Sequence, residues 1–163
     1  MIGKAEIEEK LKGYDKDKIT IATLCSHSAL QIFLGAKQEG FRTLGICKPE
    51  IKKVYDKFPL AKPDDYLIVE NYNEILSNDV QDELSRRNTI VIPHGSFVEY
   101  VGPKNLEEKF FTPMFGNRRV LEWEGNRDKE MIWLKKAGIP LPKVFERPSD
   151  IDRLCVVKFH GAK

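Results

Sequence analysis

Cysteine is scarce: Cys25, Cys47 and Cys155 are the three in 163 residues, and no CxxC spacing joins them. All three lie in or beside apolar, strand-like runs. They read as buried free thiols of a reducing compartment, which excludes a disulfide framework and a redox motif. No apolar run approaches the roughly 20 residues that a membrane span requires. Met1 to Lys18 is mostly charged, where a secretory signal would need an apolar core. The expectation is a soluble, cytoplasmic protein with no membrane partner. Charge of one sign is also lacking: the net charge is +2 and no basic block stands out, which argues against a nucleic-acid partner. No Gly-rich fingerprint follows the first apolar run, which excludes a dinucleotide cradle of the usual kind. No G-x-S-x-G elbow marks a serine hydrolase. The histidines lack a third ligand at metal spacing, which excludes zinc.

What remains is ordinary globular material, 41% hydrophobic and 32% charged, enough for one domain with a proper core or for one domain plus a fragment of another. The chain is organised around Thr20 to Phe41, TIATLCSHSALQIFLGAKQEGF. Ile19 to Leu24 is uncharged and β-branched or small, as suits a strand covered on both faces of a parallel sheet. Cys25-Ser26-His27-Ser28 then forms a polar turn. Ala29, Leu30, Ile32, Phe33, Leu34 and Ala36 give the following helix a broad apolar side, and Gly40 suits the position just past its end. Strand, polar turn, helix is the first unit of an α/β fold. It places Ser26, His27 and Ser28 at a helix N-terminus, where backbone N–H groups and the helix dipole favour anions.

The pattern then repeats. Ile2 to Tyr14 reads as a short amphipathic helix before the first strand. Further strands are expected at Thr43 to Cys47, Tyr66 to Val69 and Thr89 to Ile92. Ser77 caps a helix whose Val80 and Leu84 face inward. The segment from Glu50 to Pro63 is basic and aromatic, either a solvated surface element or a neighbour of an anionic ligand. This alternation argues a parallel, doubly wound sheet with helices on both faces. In such a sheet the turns after Leu24 and after Ile92 open on one edge, so that Ser26-His27-Ser28 and His94-Gly95-Ser96 face one crevice. The strand order itself is not readable from the pattern. What fits the crevice is a small phosphorylated or heterocyclic ligand, with histidine donating to an anionic oxygen or a ring atom.

Beyond Val98 the pattern weakens. Thr112 to Arg119, TPMFGNRR, is a broken apolar loop followed by adjacent arginines, which serve either as surface salt bridges or as a carboxylate or phosphate fork. Asn126 to Ala137 forms a further helix, stopped by Gly138 and Pro140. Leu154 to Phe159 reads as a strand with Lys158 in its middle, either facing solvent or recruited to a ligand.

The combination TLCSHSAL, IPHGSF, PMFGNRR, LKKAGIPLPK and VVKFHGAK closely resembles the N-terminal half of the 5-formaminoimidazole-4-carboxamide ribonucleotide synthetases, formate-dependent purine-biosynthesis ligases of the ATP-grasp superfamily. The resemblance covers essentially the whole chain. It implies a Rossmann-like pre-ATP-grasp domain over residues 1–120 and the beginning of an ATP-grasp domain over residues 121–163. It also implies a C–N ligase that uses ATP and Mg²⁺ to activate formate as formyl phosphate, which the amine of aminoimidazole-carboxamide ribonucleotide then attacks. His27 and Ser96 match the family's nucleotide contacts, with Ser26 beside them, and Arg118 and Arg119 match its arginine pair. Lys158 matches the strand lysine directed at the ATP phosphates, and Lys129 resembles a second superfamily lysine. The metal ligands are expected beyond residue 163, so that this chain alone is expected to be inactive, and the family tends to form homo-oligomers. Cys25 stands where a glycine is expected, which implies a crowded pocket floor or a paralogue of altered preference. The alternatives are another ATP-grasp ligase with a different acid or amine, and a non-catalytic nucleotide-monophosphate-binding module.

Overall fold

The computed structural model describes residues 2–26 and 28–157. Four parallel strands form its sheet: β1 (Thr20–Leu24), β2 (Arg42–Cys47), β3 (Asp65–Ile68) and β4 (Thr89–Val91), in the order β3-β2-β1-β4. Every residue of β1 is buried, as its uncharged, β-branched run requires. Among the described residues eight α-helices accompany the strands: α1 (Lys4–Lys12), α2 (Ala29–Gln38), α3 (Pro49–Tyr55), α4 (Asn78–Arg86), α5 (Gly95–Tyr100), α6 (Pro103–Lys109), α7 (Val120–Glu124) and α8 (Arg127–Lys136).

Alternation along the strands divides the core between the two faces of the sheet. Ala22, Leu24, Leu44 and Ile46 pack on one side with Leu84 of α4, Phe97 of α5 and Leu106 of α6. Cys25 and Cys47 lie on the other, with Ala29 and Phe33 of α2 and Tyr55 of α3. The sheet is therefore wound on both faces, as the sequence predicts. α2 buries Ala29, Phe33 and Ala36, spaced along one face. It ends before Gly40, whose φ of +82° is a left-handed conformation that glycine adopts at little cost. Ser77 caps α4 by accepting the Val80 N–H at 3.4 Å, and Asn126 caps α8 through the Asp128 and Lys129 N–H groups.

The region after Val98, patternless in the sequence, folds as short helices whose inward residues join the larger core. Of the strand expected over Leu154 to Phe159, residues 154–157 are described and belong to no strand. Leu154, Val156 and Val157 are exposed, and among the described residues no strand lies alongside to complete a ladder. Lys158 and Phe159 lie outside the described residues. Cys25 and Cys47 are buried as expected, whereas Cys155 is only half-buried. Among the described residues no helix is long and apolar enough to cross a membrane.

Candidate functional site

Because β1 sits between β2 and β4 in a parallel sheet, the direction of winding reverses between β1 and β4. A crevice opens at such a switch point, outside the carboxyl strand ends. The two turns that leave these strands are tied together there. Thr23 Oγ1 donates to the Ile92 carbonyl at 2.8 Å, and the Ile92 N–H donates to the Ala22 carbonyl at 2.9 Å. Beyond them the Ser96 hydroxyl donates to Ser26 Oγ at 2.8 Å, across 70 residues of sequence. The expected convergence of the two turns is thus realised for Ser26 and Ser96. His27 lies outside the described residues.

His94 acts as the hinge pin of this junction. Its Nδ1 accepts the Ser96 N–H at 3.3 Å, which leaves the proton on Nε2, facing the Leu24 carbonyl at 3.1 Å. Its ring stands edge-on to Phe97, with centroids 5.5 Å apart. Two tyrosines that the sequence pattern did not single out as functional brace the other turn. Tyr72 donates its hydroxyl to the Cys25 carbonyl and Tyr55 donates to the Ser26 carbonyl. Burial raises both phenols well above their ordinary value, so that both remain donors throughout the physiological range. Tyr55 was visible only as one aromatic in a basic segment. Tyr72 carried no signal, because a hydroxyl that reaches a carbonyl 47 residues away leaves no local pattern.

Cys25 does not crowd the crevice. Its side chain points into the α2–α3 core and is 2% exposed. Its hydrogen bond with Cys47, together with burial, pushes the Cys25 thiol far above its ordinary value. In the basic segment, Lys52 pairs with Asp56 at 2.7 Å and lies 4.7 Å over the Tyr66 ring, which is a surface arrangement of α3.

A cleft of about 940 Å³ adjoins the serine pair, lined by His94, Ser96, Tyr100, Phe115, Asn117 and Arg127 among others. Its far wall comes from the TPMFGNRR loop, which is held to β4 on both sides: Val91 N–H to the Pro113 carbonyl at 2.9 Å, and Phe115 N–H to the Val91 carbonyl at 2.8 Å. The arginines serve this loop. Arg118 donates to the carbonyls of Leu106 at 3.1 Å and Thr112 at 2.6 Å, and also to that of Phe110. Burial holds its pKa below the usual arginine value. Arg118 therefore clamps the loop from behind instead of standing in the cleft. Arg119 pairs with Glu107 at 3.3 Å on the exposed side. Lys129 pairs with Glu122, between α8 and α7, and Lys158 lies outside the described residues. Among the described residues no group of three or more His, Cys, Asp or Glu could hold a metal ion.

Comparison with known proteins agrees with the motifs. The chain is 50% identical over 163 residues to a 5-formaminoimidazole-4-carboxamide-1-(β)-D-ribofuranosyl 5′-monophosphate synthetase of Korarchaeum cryptofilum, covering 100% of this chain and 44% of the relative. It is 55% identical over the same length to the protein of that name from Methanosarcina acetivorans, covering 45% of it. The chain thus spans less than half the length of these curated relatives. A crystal structure of an IMP biosynthesis protein PurP from Thermococcus kodakaraensis matches with a TM-score of 0.65 and 40% identity, over 78% of this chain and 40% of that one. The family described as protein of unknown function (DUF1246) matches residues 21–145, most of the sheet and the whole of the cleft, and the chain belongs to that family.

Proposed function

We propose that the crevice at the carboxyl ends of β1 and β4 binds 5-aminoimidazole-4-carboxamide ribonucleotide, and that the chain contributes this site to an ATP- and formate-dependent ligase. The observation that carries the reading is the Ser26–Ser96 contact of 2.8 Å at the switch point of the sheet. The Ser26 hydroxyl, held by the Ser96 O–H that it accepts, lies next to the N-terminus of α2, where a phosphate or a polar ring substituent is favoured. The relatives' name supports the choice of nucleotide, since it denotes synthesis of the 5-formamino compound. His27 completes the proposed contact set.

In the proposed reaction ATP phosphorylates formate, and ADP leaves. The amine nitrogen of the nucleotide then attacks the formyl carbon, the carbon–oxygen bond to phosphate breaks, and the nitrogen loses a proton. The residues of this chain bind and orient the amine's carrier. Lys158 is proposed for the ATP phosphates. Lys129 could join it only by leaving Glu122. Residues 1–120 are proposed as the nucleotide domain and residues 121–163 as the start of the ATP domain. In support, Leu121 is the last buried residue among those described, and none from Glu122 to Val157 is buried. Assembly into homo-oligomers in the cytoplasm belongs to the same reading.

Calorimetric titration tests it. The chain should bind the aminoimidazole nucleotide detectably, bind Mg·ATP weakly, and yield no formylated product with formate. Failure to bind the nucleotide would sink the reading, and turnover would show that the ATP chemistry has been misplaced.

A further inference from the structure

The TPMFGNRR loop is fixed far more firmly than an exposed loop needs to be. Its backbone is bonded to β4 before and after Met114, and Arg118 holds three carbonyls behind it. Thr112, Pro113 and Met114 are buried. The next side chain, Phe115, is 71% exposed and lines the cleft that contains His94 and Ser96. Gly116 follows at φ +87°, a left-handed conformation that turns the chain away and leaves the ring at the tip. Tyr100 also lines the cleft, 48% exposed, its ring held 5.3 Å from that of Tyr72. The cleft thus carries two aromatic side chains, Phe115 and Tyr100, together with His94 and Ser96.

The geometry points to Phe115 as the stacking platform for the nucleotide's flat heterocycle, an assignment that rests on the reading of the cleft given above. A planar, electron-rich ring carrying a sugar phosphate matches such a site: its face lies on the phenyl and its polar substituents meet the polar lining of His94, Ser96 and Asn117. An aliphatic ligand would use the phenyl only as apolar surface. A protein segment laid across it would not require aromatic character at this position.

Three variants separate these cases, because Phe115 is too exposed to contribute much core packing. Titration of aminoimidazole-carboxamide ribonucleotide against the wild-type chain should give measurable affinity. Phe115→Ala should weaken it by roughly tenfold or more, since stacking of a base on an aromatic side chain contributes on that scale. Phe115→Tyr should retain most of the affinity, and Phe115→Leu should lose about as much as Phe115→Ala. Full affinity in Phe115→Leu would overturn the assignment, because apolar cover would then suffice. Unchanged affinity in Phe115→Ala, or a melting temperature lowered by many degrees, would overturn it as well, leaving the reading of the crevice intact. Absence of binding by the wild type would remove both.

Discussion

Arg118→Ala should destabilise the protein out of proportion to the exposure of its loop. The guanidinium donates to the carbonyls of Leu106, Phe110 and Thr112, and all three of these residues are fully buried. A hydrogen bond from a charged donor contributes about 1.5–3 kcal/mol, and a buried acceptor stripped of its partner costs about 1–3 kcal/mol. Three such bonds would sum to more than 4 kcal/mol. Against them stands the penalty for holding the guanidinium partly out of water, which is visible in its lowered pKa. The packing of Arg118 over the Phe110 ring, at 5.7 Å, adds a smaller favourable amount. The net expectation is a loss of about 2–4 kcal/mol, a large part of the roughly 5–15 kcal/mol that stabilises a typical domain.

Urea unfolding followed by circular dichroism measures this directly, since the midpoint shifts while the slope stays constant if only stability changes. Arg118→Lys should recover little, because one ammonium cannot reproduce a planar fork that reaches three carbonyls. If Arg118→Ala costs less than about 1 kcal/mol, water satisfies those carbonyls and the clamp is unimportant. If Arg118→Ala leaves stability unchanged but abolishes nucleotide binding, Arg118 belongs in the cleft after all.

Tyr72→Phe removes the hydroxyl that holds the Cys25 carbonyl; it should cost about 1 kcal/mol of stability and weaken nucleotide binding by loosening the turn, as calorimetry would show. Labelling with an aromatic disulfide reagent at mildly alkaline pH should modify Cys155 in the native protein, and Cys25 and Cys47 only after guanidinium unfolding; more than one fast equivalent would contradict the burial of the pair. Acid should expose the role of Asp64, which accepts from Lys37 at 2.8 Å and from the Thr43 N–H at 2.9 Å. Burial raises its carboxyl, but these bonds outweigh burial and hold it below its ordinary 3.8. The unfolded state then binds the proton first, so that the contribution of Asp64 is present above that ordinary value and lost as pH falls through the lower folded value. Asp64→Asn should flatten the acid limb of a stability–pH curve, and an unaltered limb would refute this.

Local pattern carried the parts of the fold that local chemistry decides. The run Ile19 to Leu24 contains no charge and is β-branched or small, as suits a strand buried on both faces. The polar tetrad after it, and Pro93-His94-Gly95-Ser96 after β4, mark carboxyl strand ends because nothing else ends an apolar run so abruptly. Parallel pairing then brings the two turns to one edge. The order β3-β2-β1-β4 was not legible, since pairing depends on which edge of β1 each strand joins and leaves no trace in periodicity. The same limit hid the function of Arg118: an arginine that clamps carbonyls reads no differently in sequence from one that grips a ligand.

Cys25 shows how a misplaced expectation can arise from a correct local observation. A cysteine just after a strand, where a glycine was expected, suggests added bulk next to the ligand. Strand parity decides otherwise. Leu24 faces the α4–α6 core, so the next residue faces the α2–α3 core, and the sulfur is directed away from the turn's open side. Its room comes from the neighbouring strand. Gly45 of β2 lies so close that a Cβ there would sit 2.7 Å from Cys25 Sγ and 2.8 Å from Pro63 Cγ, separations that no packed side chain tolerates. The bulk at position 25 is thus compensated at position 45, twenty residues on, and the backbone turn that carries Ser26 keeps its place. A residue adjacent to the site in sequence belongs to the core in space, and the cleft is shaped instead by Phe115 and Tyr100, which approach it from distant parts of the chain.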